Sequence, residues 1–500
     1  MNDTIRAESQ PQNLNESRDR HLFGPGPKRI LSLDGGGVRG AISVAFLERI
    51  EEIFAEYEYE DWLQTQAGKS ASPSEREEKR KHFAATVQLC NHFDLIGGTS
   101  TGALIAGALA LGFRTDEIKK FYTERAKDIF RRPIWRIPGL QAKFDARGLQ
   151  QEIDRVVKER TLDSPDLLTG LCVVTKRMDT GSPWILANNP RAPYWETKRR
   201  DKNNAGHIGN RDYKLKTLVR ASTAAPHFFD PEIVRIIADE DQEQQPRDQP
   251  IGEAQQDKIA EQADRVEDKL AGLNKHLSRF PRMTKWLTRL RALLLVRNKG
   301  HDPDTHGLFV DGGVTPFNNP SIAILMQVVL KPFKICWPLG PDELTFVSIG
   351  TGSYRAKLSF RELGWSRNIK LALHSLLSMM NDNQSQALAQ MQWLGECPAP
   401  WPINSEIGDL ANEMPPGRRW FRFMRYDVRL EDSWINKELK DWLTSESKFP
   451  ISDEVCCSYR NMDDPKIIEH IYNLAVAAAK LQVKPEHFFP NRGTNGAAAS

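Results

Sequence analysis

Asn91-His92-Phe93-Asp94-Leu95-Ile96-Gly97-Gly98-Thr99-Ser100-Thr101-Gly102-Ala103-Leu104-Ile105-Ala106 decides the fold. It reads as a short apolar run, a Gly-rich hinge carrying a hydroxyl, and an apolar segment with no breaker until Gly107. Gly98 to Gly102 fits G-x-S-x-G, in which a serine on a sharp strand-to-helix turn exposes its Oγ above a sheet. Glycines on both sides remove Cβ atoms that would clash with neighbouring backbone. The helix that follows aims its amides and dipole at the same spot, which suits developing negative charge. A bare match is common by chance, and a Gly/Thr/Ser turn capping an ordinary buried helix is the competing reading. The strand before and helix after favour the elbow.

Working outward, Lys28 to Leu33 reads as a buried strand running into Asp34-Gly35-Gly36-Gly37-Val38-Arg39-Gly40. Ala41 to Phe54 follows with helical spacing of Ile42, Phe46, Leu47, Ile50 and Phe54. The opening stretch is thus a second strand–loop–helix, separated from the first by a polar surface loop or exposed helix over Gln64 to Arg80. Leu111-Gly112 closes its helix, and Thr115 caps another. Leu171 to Thr175 and Trp184 to Leu186 are predicted as neighbouring strands, and Leu308 to Val310 and Leu344 to Ile349 as further ones. The part from about Tyr354 is mainly helical by pattern, with one late strand in Phe421 to Leu430. The alternation predicts an α/β fold, a three-layer α/β/α sandwich on a mostly parallel sheet, with a helical C-terminal extension.

The chain of 500 residues is 40% hydrophobic and 27% charged, with a net charge of +3, so a sizeable soluble core is expected and a dedicated nucleic-acid binder is not. No apolar run reaches transmembrane length, and Met1 to Arg20 lacks a signal-peptide core. Cys90, Cys172, Cys336, Cys397, Cys456 and Cys457 form no metal-ligand spacing and suit buried free thiols in a reducing cytosol. Residues 1–27 and 491–500 read as loose tails. Between Asp239 and Glu267 the chain is rich in Asp, Glu and Gln; from Leu270 to Lys299 it is basic without an acidic residue. Leu273, Leu277, Phe280, Trp286, Leu287, Leu290 and Leu294 share one helical face there, interrupted by Pro281. Such a segment either docks on an anionic membrane surface or is a solvated insertion packed on the core.

Two constellations carry chemistry. Gly35 to Gly40 satisfies G-x-G-x-x-G, so a dinucleotide site is one reading, although Glu56, Glu58 and Glu60 sit in a helical stretch rather than at a strand end. An oxyanion hole is the other: consecutive glycines let several N–H groups point into one cavity. A second loop carrying a candidate nucleophile favours the latter. Arg39 would brace the loop or bind a lipid phosphate. Ser100 needs a base. Asp311 directly follows a strand and precedes Gly312-Gly313. His374, His470 and His487 qualify by order alone, while His227 and His306 lie before Asp311. A partly desolvated carboxylate can deprotonate a serine, so Asp311 is preferred.

These motifs, with Ala221-Ser222-Thr223-Ala224-Ala225-Pro226 and Asn318-Asn319-Pro320, resemble in order and context those of the patatin-like phospholipases. The likeness covers Lys28 to Thr351, and Arg460 to Pro465 is similar to the family's C-terminal end. The resemblance implies hydrolysis of lipid acyl esters by a Ser–Asp dyad, Ser100 as nucleophile and Asp311 as general base, without metal or cofactor. Gly35, Gly36, Gly37, Val38 and Arg39 would form the oxyanion loop, with Gly36, Gly37 and Val38 amides as donors. Gly98, Gly102, Gly312 and Gly313 would support the motifs. A hydrolase domain over 28–351, with an insertion at 239–305 and a helical part over 352–490, is expected. The implied partner is a phospholipid or other acyl lipid at a membrane surface, with no nucleic acid. The long insertion departs from the family pattern. Relatives of this kind include bacterial toxins and signal-activated effectors; a nucleotide-binding module and an idle scaffold are the rival classes.

Overall fold

The computed structural model describes residues 16–129, 144, 146–198, 206–226, 228–238, 304–355 and 367–490. The acidic and basic stretches expected between 239 and 303, and both tails apart from 16–27, lie outside the described residues.

Nine strands are described: β1 (Lys28–Leu33), β2 (Leu95–Thr99), β3 (Gly170–Arg177), β4 (Ser182–Ala187), β5 (Glu232–Arg235), β6 (His306–Asp311), β7 (Leu344–Ile349), β8 (Gly395–Ala399) and β9 (Phe421–Tyr426). Their order is β5-β6-β3-β2-β1-β7-β9-β8, with β4 on β3. β3, β2, β1, β7, β9 and β8 run parallel, whereas β4 and β6 pair antiparallel with β3. The central strands are buried almost without interruption, as a parallel sheet covered on both faces requires.

The alternation of side chains sorts the two covers. Ile30, Phe346 and Phe423 join one core with Ile324 and Val328 of the helix Ser321–Val329 and Leu388 and Met391 of the helix Arg367–Leu394. Tyr426 points the other way and stacks on Phe46 of the long helix Gly40–Gln64 at 6.2 Å between ring centroids. Helices therefore flank a mixed, mostly parallel sheet, as the sequence predicts.

Of the two readings of Gln64–Arg80, the exposed helix holds: Pro73–Thr86 starts from a capping box in which Ser72 and Glu75 satisfy each other's backbone N–H groups. Two expectations change. The C-terminal part contributes two strands, since β8 joins the anticipated β9. Of the cysteines, all free, Cys336 and Cys457 are exposed rather than buried.

The described residues up to Thr197, Gly209–Val234 and those from Leu308 form one compact unit that carries the sheet. In the other unit, Lys198 pairs with His207, and Ile236 donates to the Thr305 carbonyl. Among the described residues no helix is long and apolar enough to cross a membrane.

Candidate active site

β3 explains how distant segments meet. Its Val174 pairs with Thr99, the last residue of β2, and the next residue, Thr175, pairs with Asp311, the last residue of β6. β2 runs parallel to β3 and β6 antiparallel, so the two strands arrive end to end along β3. Ser100 follows Thr99 immediately. Its Oγ donates to Asp311 Oδ2 at 2.5 Å.

Ser100 has φ 56° and ψ −124°, a conformation that L-residues rarely adopt and that marks a strained elbow. Packing leaves no room for side chains beside it. A Cβ on Gly98 would collide with the Gly102 carbonyl, and one on Gly102 with the Leu33 carbonyl. The helix Thr101–Ala110 behind Ser100 is buried along its whole length.

Asp311 is 4% exposed. Its Oδ1 accepts from the Gly313 N–H at 2.7 Å, which leaves Oδ2 aimed at Ser100. A Cβ on Gly312 would strike the Val174 carbonyl. Burial pushes the carboxyl up to about 6, against the Ser100 hydroxyl, the Gly313 N–H and the positive charge of Arg220.

The glycine loop leaves β1 beside this pair, because β1 and β2 are parallel neighbours with Leu33 opposite Gly98. Their carboxyl ends meet at one edge, the usual place for ligands in such sheets. The Gly35 N–H donates to the Asn318 carbonyl, Val38 to Met462 and Arg39 to Gly36. These three amides are already satisfied, so the expected set of donors narrows. Among the described residues nothing accepts from the Gly36 and Gly37 N–H groups. Gly37 has φ 60°, and a Cβ there would collide with the Met462 carbonyl. The segment Arg460 to Pro465 is thus laid directly against the loop.

Arg39 does not line the cleft. Its buried guanidinium stacks over Tyr354 at 5.4 Å from the ring centroid.

The cleft over Ser100 has a volume of about 150 Å³. Gly36, Gly37, Ser100 and Asp311 line its polar end, and Leu104, Phe121, Leu149, Phe228, Phe229 and Met380 supply much of its apolar wall. Among the described residues no histidine lines it. His487 instead hydrogen-bonds Tyr426, His470 stacks on Tyr459 and His306 meets Thr305. His227 and the His374 side chain lie outside the described residues.

Supports that the sequence reading did not single out surround these groups. Thr351 Oγ1 donates to the Gly35 carbonyl at 2.8 Å. Asp34, fully buried, takes a hydrogen bond of 2.7 Å from Arg425, which also holds Asp427 and Ser348. Two carboxylates share one guanidinium away from water, and Asp34 is pushed up to about 6 by burial. Ser222 binds the Ser100 backbone. Only its place in an Ala-Ser-x-Ala-Ala-Pro block hinted at it; Arg425 gave no sequence signal.

Comparison with known proteins adds an independent line. The family model described as patatin-like phospholipase matches residues 31–242. A cGAMP-activated phospholipase of Escherichia coli (strain TW11681) is 28% identical over 211 residues, 41% of this chain and 48% of that protein. A cUMP-AMP-activated phospholipase of Escherichia coli is 28% identical over 161 residues, 32% of this chain and 38% of that one. Patatin-17 of Solanum cardiophyllum is 26% identical over 209 residues, 40% of this chain and 43% of that one. The chain spans about half the length, or less, of the curated relatives it matches. Residues 31–242 of the chain, which include the glycine loop, Ser100 and the Ala-Ser-x-Ala-Ala-Pro block, are thus similar to the patatin-like phospholipases, the family whose motifs the sequence resembles.

Proposed function

We propose that the protein is a lipid acyl hydrolase of the phospholipase A type, working through Ser100 and Asp311. The observation that carries this reading is the 2.5 Å contact between Ser100 Oγ and Asp311 at the polar end of an apolar cleft. An acyl chain lies along Leu104, Leu149 and Phe229. Its carbonyl oxygen faces the Gly36 and Gly37 amides. Ser100 Oγ attacks the carbonyl carbon while Asp311 takes the hydroxyl proton. Negative charge collects on the carbonyl oxygen, where the two amides stabilise it. Collapse breaks the ester C–O bond, and the alcohol or lysolipid leaves with the proton from Asp311. Water, deprotonated by Asp311, then attacks the acyl-serine; the acyl–Oγ bond breaks, Asp311 returns the proton to Ser100 Oγ, and the fatty acid leaves. The basic stretch Leu270 to Lys299 gives a sequence-based reason to expect the substrate in an anionic bilayer.

Fatty-acid release from phospholipid vesicles tests the reading. Wild type releases fatty acid and Ser100→Ala does not; equal release by both contradicts it.

The relatives named as cGAMP-activated and cUMP-AMP-activated phospholipases favour a second reading. In it the same dyad hydrolyses lipid only when a cyclic nucleotide is bound. Adding cyclic dinucleotides to the vesicle assay separates the two: a basal rate that no cyclic dinucleotide changes favours constitutive activity.

A further inference from the structure

We propose that Ser222 is a positioning residue that sets the nucleophile's backbone, and through it the Ser100–Asp311 geometry. The inference rests on the hydrolase reading above and goes beyond it by assigning a role within the Ala-Ser-x-Ala-Ala-Pro block.

β2 and β3 pair in register up to Thr99 opposite Val174. At Ser100 the chain turns away into φ 56°. Its N–H is then withdrawn from the sheet and needs another acceptor, because an unpaired buried amide is costly. Ser222 Oγ accepts that N–H at 2.8 Å. The same hydroxyl donates to the Val174 carbonyl at 2.6 Å. One hydroxyl therefore sits between the N–H of Ser100, just past the end of β2, and a β3 carbonyl, where the strands separate. Ser222 is fully buried at the end of the helix Leu215–Ser222, so water does not substitute readily.

The same turn also grips the other partner. Two residues on, the Ala224 carbonyl accepts the Asp311 N–H at 3.0 Å. Ser222 holds the backbone of Ser100, and Ala224 holds the backbone of Asp311. A rigid two-residue span thus fixes the separation of two groups that lie 211 positions apart in sequence. An aliphatic side chain at 222 would fill the space and perform none of this. A hydroxyl is required because the position must accept and donate at once.

Two substitutions and two readouts test it. Ser222→Ala removes the bridge; Ser222→Cys keeps the volume with a thiol, a weak donor and acceptor. Residue-resolved hydrogen exchange reports the Ser100 amide directly and is independent of turnover. Steady-state kinetics on a phospholipid substrate reports catalysis. In both variants the Ser100 amide exchanges about 10-fold faster or more, and kcat falls about 10- to 100-fold with KM nearly unchanged. Unchanged exchange at Ser100 in Ser222→Ala overturns the assignment. So does a Ser222→Cys protein that matches wild type in both readouts, since filling space would then suffice. An inactive wild type sinks the hydrolase reading, while the exchange data still decide whether Ser222 holds the Ser100 backbone.

Discussion

Asp34 and Arg425 lie 2.7 Å apart with both side chains fully buried, joining the start of the glycine loop to the end of β9. Arg425 meets Asp427 at 2.9 Å as well. The C-terminal part is therefore tied by charge to the loop that faces Ser100. Removing the guanidinium leaves Asp34 and Asp427 buried without their ion-pair partner. Arg425→Met is expected to destabilise the protein by about 3–5 kcal/mol. Denaturant unfolding checks the value, and Asp34→Asn should recover part of it in the Arg425→Met background.

A pH prediction follows from the two raised carboxyls. Asp34 and Asp311 both reach about 6 in the folded protein, from an ordinary value near 3.8. Each holds its proton more tightly folded than unfolded. Their contribution to stability is complete below about 3.8 and is lost as pH rises through about 6. On the proposed mechanism activity runs the other way, because only the ionised Asp311 would act as base. kcat/KM should rise with pH through a midpoint near 6. Asp311→Asn should gain stability relative to wild type between pH 5 and pH 7.5 in urea titrations.

The glycine loop makes a third prediction. Gly37→Ala combines a side chain at φ 60° with a collision against the Met462 carbonyl. The loop must shift, and its free amides shift with it. kcat should fall by about 10²–10³, the size of losing one oxyanion donor, with a smaller change in KM. Stopped assays on a soluble short-chain ester measure this without vesicle binding.

The cleft wall makes a fourth. Leu149 is buried and lines the apolar part of the cleft. Leu149→Trp should shorten the preferred acyl chain. Each methylene excluded from burial costs about 0.8 kcal/mol, or roughly fourfold in kcat/KM. A series of p-nitrophenyl esters of increasing length reads the shift.

Much of this was visible in the sequence, for physical reasons that can be named. β1 and β2 each carry a short apolar run that leads into glycines and then a helical apolar pattern, so strand, turn and helix could each be placed. Ser100 and Asp311 were legible because each closes a strand and sits among glycines that only tight packing demands. β8 was not: Gly395-Glu396-Cys397-Pro398-Ala399 has no β-branched residue and exists by pairing with β9. The helix Pro73–Thr86 carried its signal in Ser72, Pro73 and Glu75, but with no buried face its polarity left a surface loop as an equal reading. Arg425 resembles any surface arginine until long-range pairing buries it. The free amides of Gly36 and Gly37 depend on which carbonyls the rest of the fold delivers to Gly35 and Val38, and no local pattern encodes that.

The central claim is that Ser100 is a nucleophile activated by Asp311. Fluorophosphonate labelling followed by peptide mass mapping tests it most directly. Wild type should gain one adduct on the peptide containing Ser100, Ser100→Ala none, and Asp311→Asn the same adduct at a rate lower by orders of magnitude. An adduct on a different residue, or labelling of Asp311→Asn as fast as wild type, would contradict the account.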